Sequence, residues 1–197
     1  MARPKNEHLH QQRRAEILLA AARTFKRKGF HLTRTDDICE AAGLSAGTVF
    51  RYFRSKQEMI MAIAVMEFER HKEQVLSMAN REGLTWLSRI TAVELESLFA
   101  PSEYDLGTDS WLELSRSSEW RAELHLHDHE LRAALAKELA RGRDEGWVAR
   151  SVDPEGATTL IFALFNGLSF DRETGTELAP ETTAKAIADF FGRFILA

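Results

Sequence analysis

A single cysteine, Cys39, and only four prolines occur in the 197 residues. One thiol excludes an internal disulfide and a cysteine-only metal site, in keeping with a reducing compartment. No run of about 18 apolar residues exists, so no membrane span is expected. Met1-Ala2-Arg3-Pro4-Lys5 is basic, but it leads into His10-Gln11-Gln12-Arg13-Arg14 where a secretion signal would be apolar, and a cytoplasmic protein is expected. Strand-like alternation of useful length is missing, as are internal repeats and low-complexity tracts. A Gly-rich phosphate loop and a nucleophile elbow are missing too, which argues against the commoner small-enzyme designs.

What remains is an ordinary globular composition, 44% hydrophobic and 28% charged, rich in helix formers. Its net charge of −4 hides an asymmetry: residues 1–60 hold twelve Lys/Arg against six Asp/Glu, and the rest holds 14 against 24. A basic end on an acidic body suggests that one end meets a polyanion, although a solvated basic helix face would give the same count.

Helical spacing dominates the chain. Ile17, Leu18, Ala21, Ala22 and Phe25 form a stripe over 13–28 that Gly29 closes. A short helix follows from about Arg34 to Ala42, stopped by Gly43, and a second one capped by Ser45 buries Val49 and Phe53. Ser55 to Glu58 has capping-box spacing and opens a long helix to about Met78. Further helices are expected over 83–100, 110–117 and 119–146. Another starts at Asp153-Pro154 and the last spans 180–196.

Two short helices around Ala42-Gly43-Leu44-Ser45 make a helix-turn-helix: Gly43 permits a left-handed turn, Leu44 fills the gap, and Ile38 and Val49 lock the crossing. The stretch Thr33-Arg34-Thr35-Asp36-Asp37-Ile38 with Ala42-Gly43-Leu44-Ser45-Ala46-Gly47-Thr48-Val49-Phe50-Arg51-Tyr52-Phe53-Arg54-Ser55-Lys56 strongly resembles the TetR family of transcriptional regulators. The match runs from about Arg14 to Met59. Gly142 to Gly146, Asp153 to Glu155 and Phe165 to Leu168 are similar to recurrent features of that family.

The resemblance implies an all-α fold. Residues 1–55 would be a three-helix DNA-binding domain with a basic arm, and 56–197 a larger helical effector-binding and dimerisation domain. It implies a sequence-specific regulator, a repressor released from double-stranded operator DNA by a small-molecule effector, with no catalytic residue and no required cofactor. By position, Thr33, Arg34, Thr35 and Lys56 would contact phosphate, and Ala46, Gly47, Thr48, Phe50 and Tyr52 would face the groove, with Arg51 as an added phosphate contact. Phe50 stands where a Tyr is usual and Ala46 where a longer polar residue is common, so base reading would lean on apolar contacts and DNA shape. The Arg3/Lys5 arm is expected to enter a minor groove.

Leu160, Ile161, Leu164, Leu168, Ile187, Phe191, Phe194 and Ile195 offer more apolar surface than two helices can cover, and the resemblance implies a homodimer across them. Trp86, Phe99, Trp111, Trp120, Phe162, Phe165 and Asn166 are candidates to line an effector pocket. His125 and His129 stand i, i+4, a spacing that can hold a metal ion. They support the alternative readings of a metal-dependent enzyme or a metal-sensing regulator, against the simpler one of a polar helix surface. A nonspecific DNA-packaging protein is a further alternative, but its basic surface should not stop near residue 60.

Overall fold

A computed structural model describes residues 4–197, the side chains of 4–6 and 119 excepted. Ten α-helices follow one another: α1 Pro4–Lys28, α2 Thr35–Ala42, α3 Ala46–Tyr52, α4 Lys56–Met78, α5 Arg81–Leu87, α6 Ala92–Leu98, α7 Thr108–Arg116, α8 Ser118–Glu145, α9 Pro154–Glu173 and α10 Pro180–Phe190. A π turn, Phe191–Ile195, ends the series. The all-helical class expected from the spacing is what forms. The described chain packs as two units, one reaching to Glu69 and including Pro101–Arg121, the other made of Arg70–Ala100 and Ala122–Ala197.

In the first unit the stripe of α1 is fully buried at Ile17, Leu18, Ala21, Ala22 and Phe25. Lys26, Arg27 and Lys28 in its last turn complement the negative end of the helix dipole. Gly29 then turns left-handed at φ 77°, its N–H bonding the Phe25 carbonyl at 2.7 Å. Around this stripe pack Ile38 of α2, Val49 of α3, Met59, Ile60 and Ile63 of α4, and Leu114 of α7. Ser55 opens α4 by accepting the Glu58 N–H at 3.1 Å. The Glu58 carboxylate reaches back one residue beyond the cap, to the Arg54 N–H at 2.7 Å.

The second unit corrects two helix expectations. Residues 83–100 form two helices, because Thr91 and Glu94 make a reciprocal capping box that starts α6 anew. The Glu94 carboxyl lies below its usual range, held there first by the Thr91 hydroxyl, then by the Thr91 N–H and the Trp86 indole. The last helix is not continuous to 196: after the π turn the chain extends, with the Ala149 N–H on the Ile195 carbonyl and the Ala197 N–H on the Trp147 carbonyl. Asp153 caps α9 through the Gly156 N–H at 2.7 Å, as its Asp-Pro signal predicts.

Four of the residues expected at a dimer interface, Ile161, Ile187, Phe191 and Ile195, belong to this unit's own core. Periodicity marks a buried face without saying whether the same chain or a partner buries it. Leu160 and Phe194 point the other way, 60% and 66% exposed, while Leu164 and Leu168 are half-buried.

Candidate nucleic-acid interface

Gly43 adopts φ 63°, ψ 31°, the left-handed conformation a side chain would resist. The turn it makes is closed by the Leu44 N–H on the Cys39 carbonyl at 3.0 Å. Ser45 then caps α3, accepting the Thr48 N–H at 3.3 Å, and its hydroxyl also meets that of Thr48 at 3.0 Å. Val49 and Phe53 anchor the inner side of α3 and are buried. Seven residues this firmly capped and anchored form a stiff rod.

Most of its outer side is exposed. Ala46, Gly47, Phe50 and Arg51 are exposed, Phe50 at 48%, and Thr48 and Tyr52 are half-buried. Packing in the core therefore does not account for Phe50. The Tyr52 ring lies 4.6 Å from the ring of His10 on α1, an arrangement the sequence reading missed. Nothing local foretells it, since 42 positions separate the two residues. Arg34 is exposed and Thr35 half-buried at the start of α2. Arg3 and the Lys5 side chain lie outside the described residues.

Two assigned phosphate contacts have their polar atoms turned inward. Thr33 is 1% exposed, and its hydroxyl donates to the Gly29 carbonyl at 2.7 Å. The Lys56 ammonium donates to the carbonyls of Phe30 at 2.7 Å, His31 at 3.4 Å and Thr33 at 3.0 Å. It also stands 4.4 Å from the centre of the Phe30 ring. Within the chain both polar groups thus hydrogen-bond the Gly29–Thr33 loop.

The electrostatics of this unit join the basic end of α1 to an acidic segment around α7. Lys26 pairs with Asp105 at 2.5 Å and Arg23 with Glu103 at 3.7 Å. The Phe30 N–H bonds Asp109 at 3.2 Å, and His31 meets Glu113 at 2.9 Å. The run of acids over 103–113 was the available sequence signal for this seam. Asp37 pairs with Lys28 at 2.7 Å, and its carboxyl lies below the ordinary range through that bond first and the Arg34 N–H second. Burial pushes the Cys39 thiol up, so it is a packing residue of α2.

The seven pocket candidates do not share one core. Trp111 and Trp120 pack in the first unit, Trp111 edge-on to Phe68 at 5.3 Å. Phe99, Phe162 and Phe165 pack in the second, with Phe99 stacked on Phe165 at 5.9 Å. Trp86 borders a shallow groove of about 660 Å³ with Arg81, Thr85 and Arg89, and Asn166 is exposed. Among the described residues no group of three or more His, Cys, Asp or Glu is placed to hold a metal ion. His125 and His129 are exposed on α8, and His127 faces Glu123 at 3.7 Å. No described helix is long and apolar enough to cross a membrane.

Comparison with known proteins supplies what the geometry leaves unnamed. The family model for bacterial regulatory proteins of the tetR family matches residues 17–63. The one for the C-terminal part of BetI-type transcriptional repressors matches 85–195. The chain is 28% identical over 184 residues to the HTH-type transcriptional regulator YfiR of Bacillus subtilis, covering 86% of this chain and 87% of that protein. It is 29% identical over 161 residues to the HTH-type transcriptional repressor Rv1474c of Mycobacterium tuberculosis, covering 81% and 68%. A transcriptional regulator from Saccharomonospora viridis, solved in complex with choline, superposes with a TM-score of 0.76 at 20% identity over 95% of this chain and 99% of that one. FadR from Bacillus subtilis in complex with stearoyl-CoA gives 0.66 at 18% identity over 90% and 96%.

Proposed function

This chain belongs to the tetR family of bacterial regulatory proteins, and from that membership we propose that it is a dimeric repressor whose hold on operator DNA a small molecule loosens. It is a transcriptional regulator and not an enzyme, and the reading of His125 and His129 as a catalytic metal site finds no support. The observation that carries the DNA reading is the outer side of α3: Ala46, Gly47, Phe50 and Arg51 exposed on a rod fixed from behind by Val49 and Phe53. A helix so presented fits a major groove.

Residues 1–55 are assigned as the operator-binding head and 56–197 as the effector-binding and dimerising part. Direct contacts fall to Arg34, Thr35, Ala46, Gly47, Thr48, Phe50, Arg51, Tyr52 and Lys56. Phe50 and Ala46 offer no bidentate hydrogen bonds, so selectivity draws on thymine methyl contacts and groove shape.

A dimer is supported by the exposed apolar row on α9, Leu160, Ala163, Gly167 and Phe170, at i, i+3, i+7 and i+10, together with Phe194. The effector reading is supported by the ligands bound to two proteins of the same fold. Within the chain, Trp120 contributes a buried indole N–H that meets no acceptor among the described residues, the kind of orphan donor that a ligand oxygen satisfies. DNA and effector would then weaken each other's binding by the same factor. A chain that acts on DNA would act in the cytoplasm.

Selection of bound fragments from random duplex DNA tests the reading. Enrichment of a short inverted repeat, with half-sites about one helical turn apart, is expected. A pool that stays random would reject sequence-specific regulation.

A further inference from the structure

A shallow groove on the second unit carries two arginines that the fold leaves unengaged. Arg81, Thr85 and Arg89 recur every fourth position through α5 and the turn after it, and with Trp86 and Glu94 they border about 660 Å³. Elsewhere Arg13, Arg116, Arg132 and Arg141 each pair with an acid three or four positions away. No acid stands at that spacing from Arg81 or Arg89. Both are exposed, and among the described residues neither guanidinium meets a carboxylate.

Two acids border the same groove. Glu94 is already engaged: one oxygen accepts the Trp86 indole N–H at 2.9 Å, and the other accepts the Thr91 N–H at 2.8 Å and its hydroxyl at 2.7 Å. The indole bond also fixes the orientation of the half-buried Trp86 ring. Glu82 is exposed in the first turn of α5. Two guanidinia against two carboxylates leave the lining formally neutral, so an anion would be held by directed hydrogen bonds and not by a broad positive field. That suits a monoanion better than a polyphosphate.

We propose that this groove binds a small organic monocarboxylate with a flat apolar body: Arg81 and Arg89 donate to the carboxylate, and the body lies against the Trp86 ring. A guanidinium meets a carboxylate fork to fork and is more weakly hydrated than an ammonium, so it exchanges water for such a ligand readily. The volume falls within the range of small-molecule sites, which pair apolar walls with a few placed polar groups. The proposal goes beyond the operator reading and does not rest on it, because the binding belongs to the chain without DNA.

The probe is 1-naphthoate, titrated into the full chain and followed through the indole N–H signals of nitrogen-15 spectra. W86F identifies the Trp86 signal by its loss; if that variant does not fold, sequential assignment identifies it. The Trp86 signal should shift and saturate with a dissociation constant of about 1 mM or tighter, the range for a ligand of this size. 1-Naphthamide has the same shape without the charge and should bind about tenfold more weakly or worse. R81A and R89A should each weaken naphthoate about fivefold or more while keeping the parent's unfolding midpoint, since both side chains are exposed. A Trp86 signal that does not move, equal affinity for acid and amide, or either arginine variant binding like the parent would overturn the site. The titrations contain no DNA, so their failure leaves the operator reading standing, and a parent that selects no DNA leaves this site measurable.

Discussion

Tyr52 sits where two helices can both influence what the groove meets. Its ring is half-buried against His10, 4.6 Å away and inclined by 32°, and such pairs contribute about 0.5–1.5 kcal/mol beyond area burial. Tyr52→Ala should relax base preference in a repeat of the DNA selection, and His10→Ala should reproduce part of that loss. In a double-mutant cycle on operator affinity the two effects should fall short of additive, because they share one contact; strict additivity would mean that His10 does not orient the ring. Asp37 allows a pH prediction with a definite sign. Its folded carboxyl lies below the ordinary 3.8, so its bonds to Lys28 and Arg34 stabilise fully above that value and are lost as pH falls through the depressed one. Unfolding midpoints of parent and Asp37→Asn should differ at neutral pH and converge in acid. The gap will be small, since the carboxylate is solvent-screened, and parallel curves at every pH would contradict the assignment.

At the scale of elements, the joints between helices are more vulnerable than the helices. A Cβ on Gly142 would lie 2.5 Å from the Trp147 ring, and Trp147 is itself fixed by its N–H on the Gly142 carbonyl at 2.9 Å and its indole on Glu145 at 2.9 Å. Gly142→Ala should therefore destabilise by about 1–3 kcal/mol through overpacking, read as a lowered denaturant midpoint. Gly167 is the counterpart on α9, where an added Cβ meets nothing within 4 Å in the single chain. There Gly167→Ala should stabilise the monomeric fold by roughly 0.5–1 kcal/mol. The break between α5 and α6 shows why joints escape a periodicity reading: the apolar pattern runs on through 88–91, and the hydrogen bonds of Thr91 and Glu94 restart the helix regardless.

Over the whole chain the net charge is positive in the first 60 residues and negative beyond them. The net positive charge of the first 60 residues favours their approach to DNA, and the apolar row on α9 offers a surface for pairing two chains. Leu160→Asp with Phe194→Asp places charges on exposed positions outside the core, so the chain should stay folded. Sedimentation should then show a monomer, and operator affinity should fall because only one half-site is engaged at a time. A double variant that remains a dimer would move the interface elsewhere.

Sequence by itself determined most of the helices, the helix-turn-helix and the family, because those depend on short-range chemistry. A glycine at a left-handed turn, a serine three residues before a free N–H and an Asp-Pro start all act within one turn of helix. Tertiary structure alone decided the tasks of individual side chains. Lys56 reaches carbonyls 25 and 26 positions earlier, and the Phe30 N–H finds a carboxylate 79 positions later. Trp111 and Trp120 join one core while Phe162 and Phe165 join the other, and Ile187 faces inward while Phe194 faces out. Such choices compare contacts across the whole fold, and no window along the chain contains both partners.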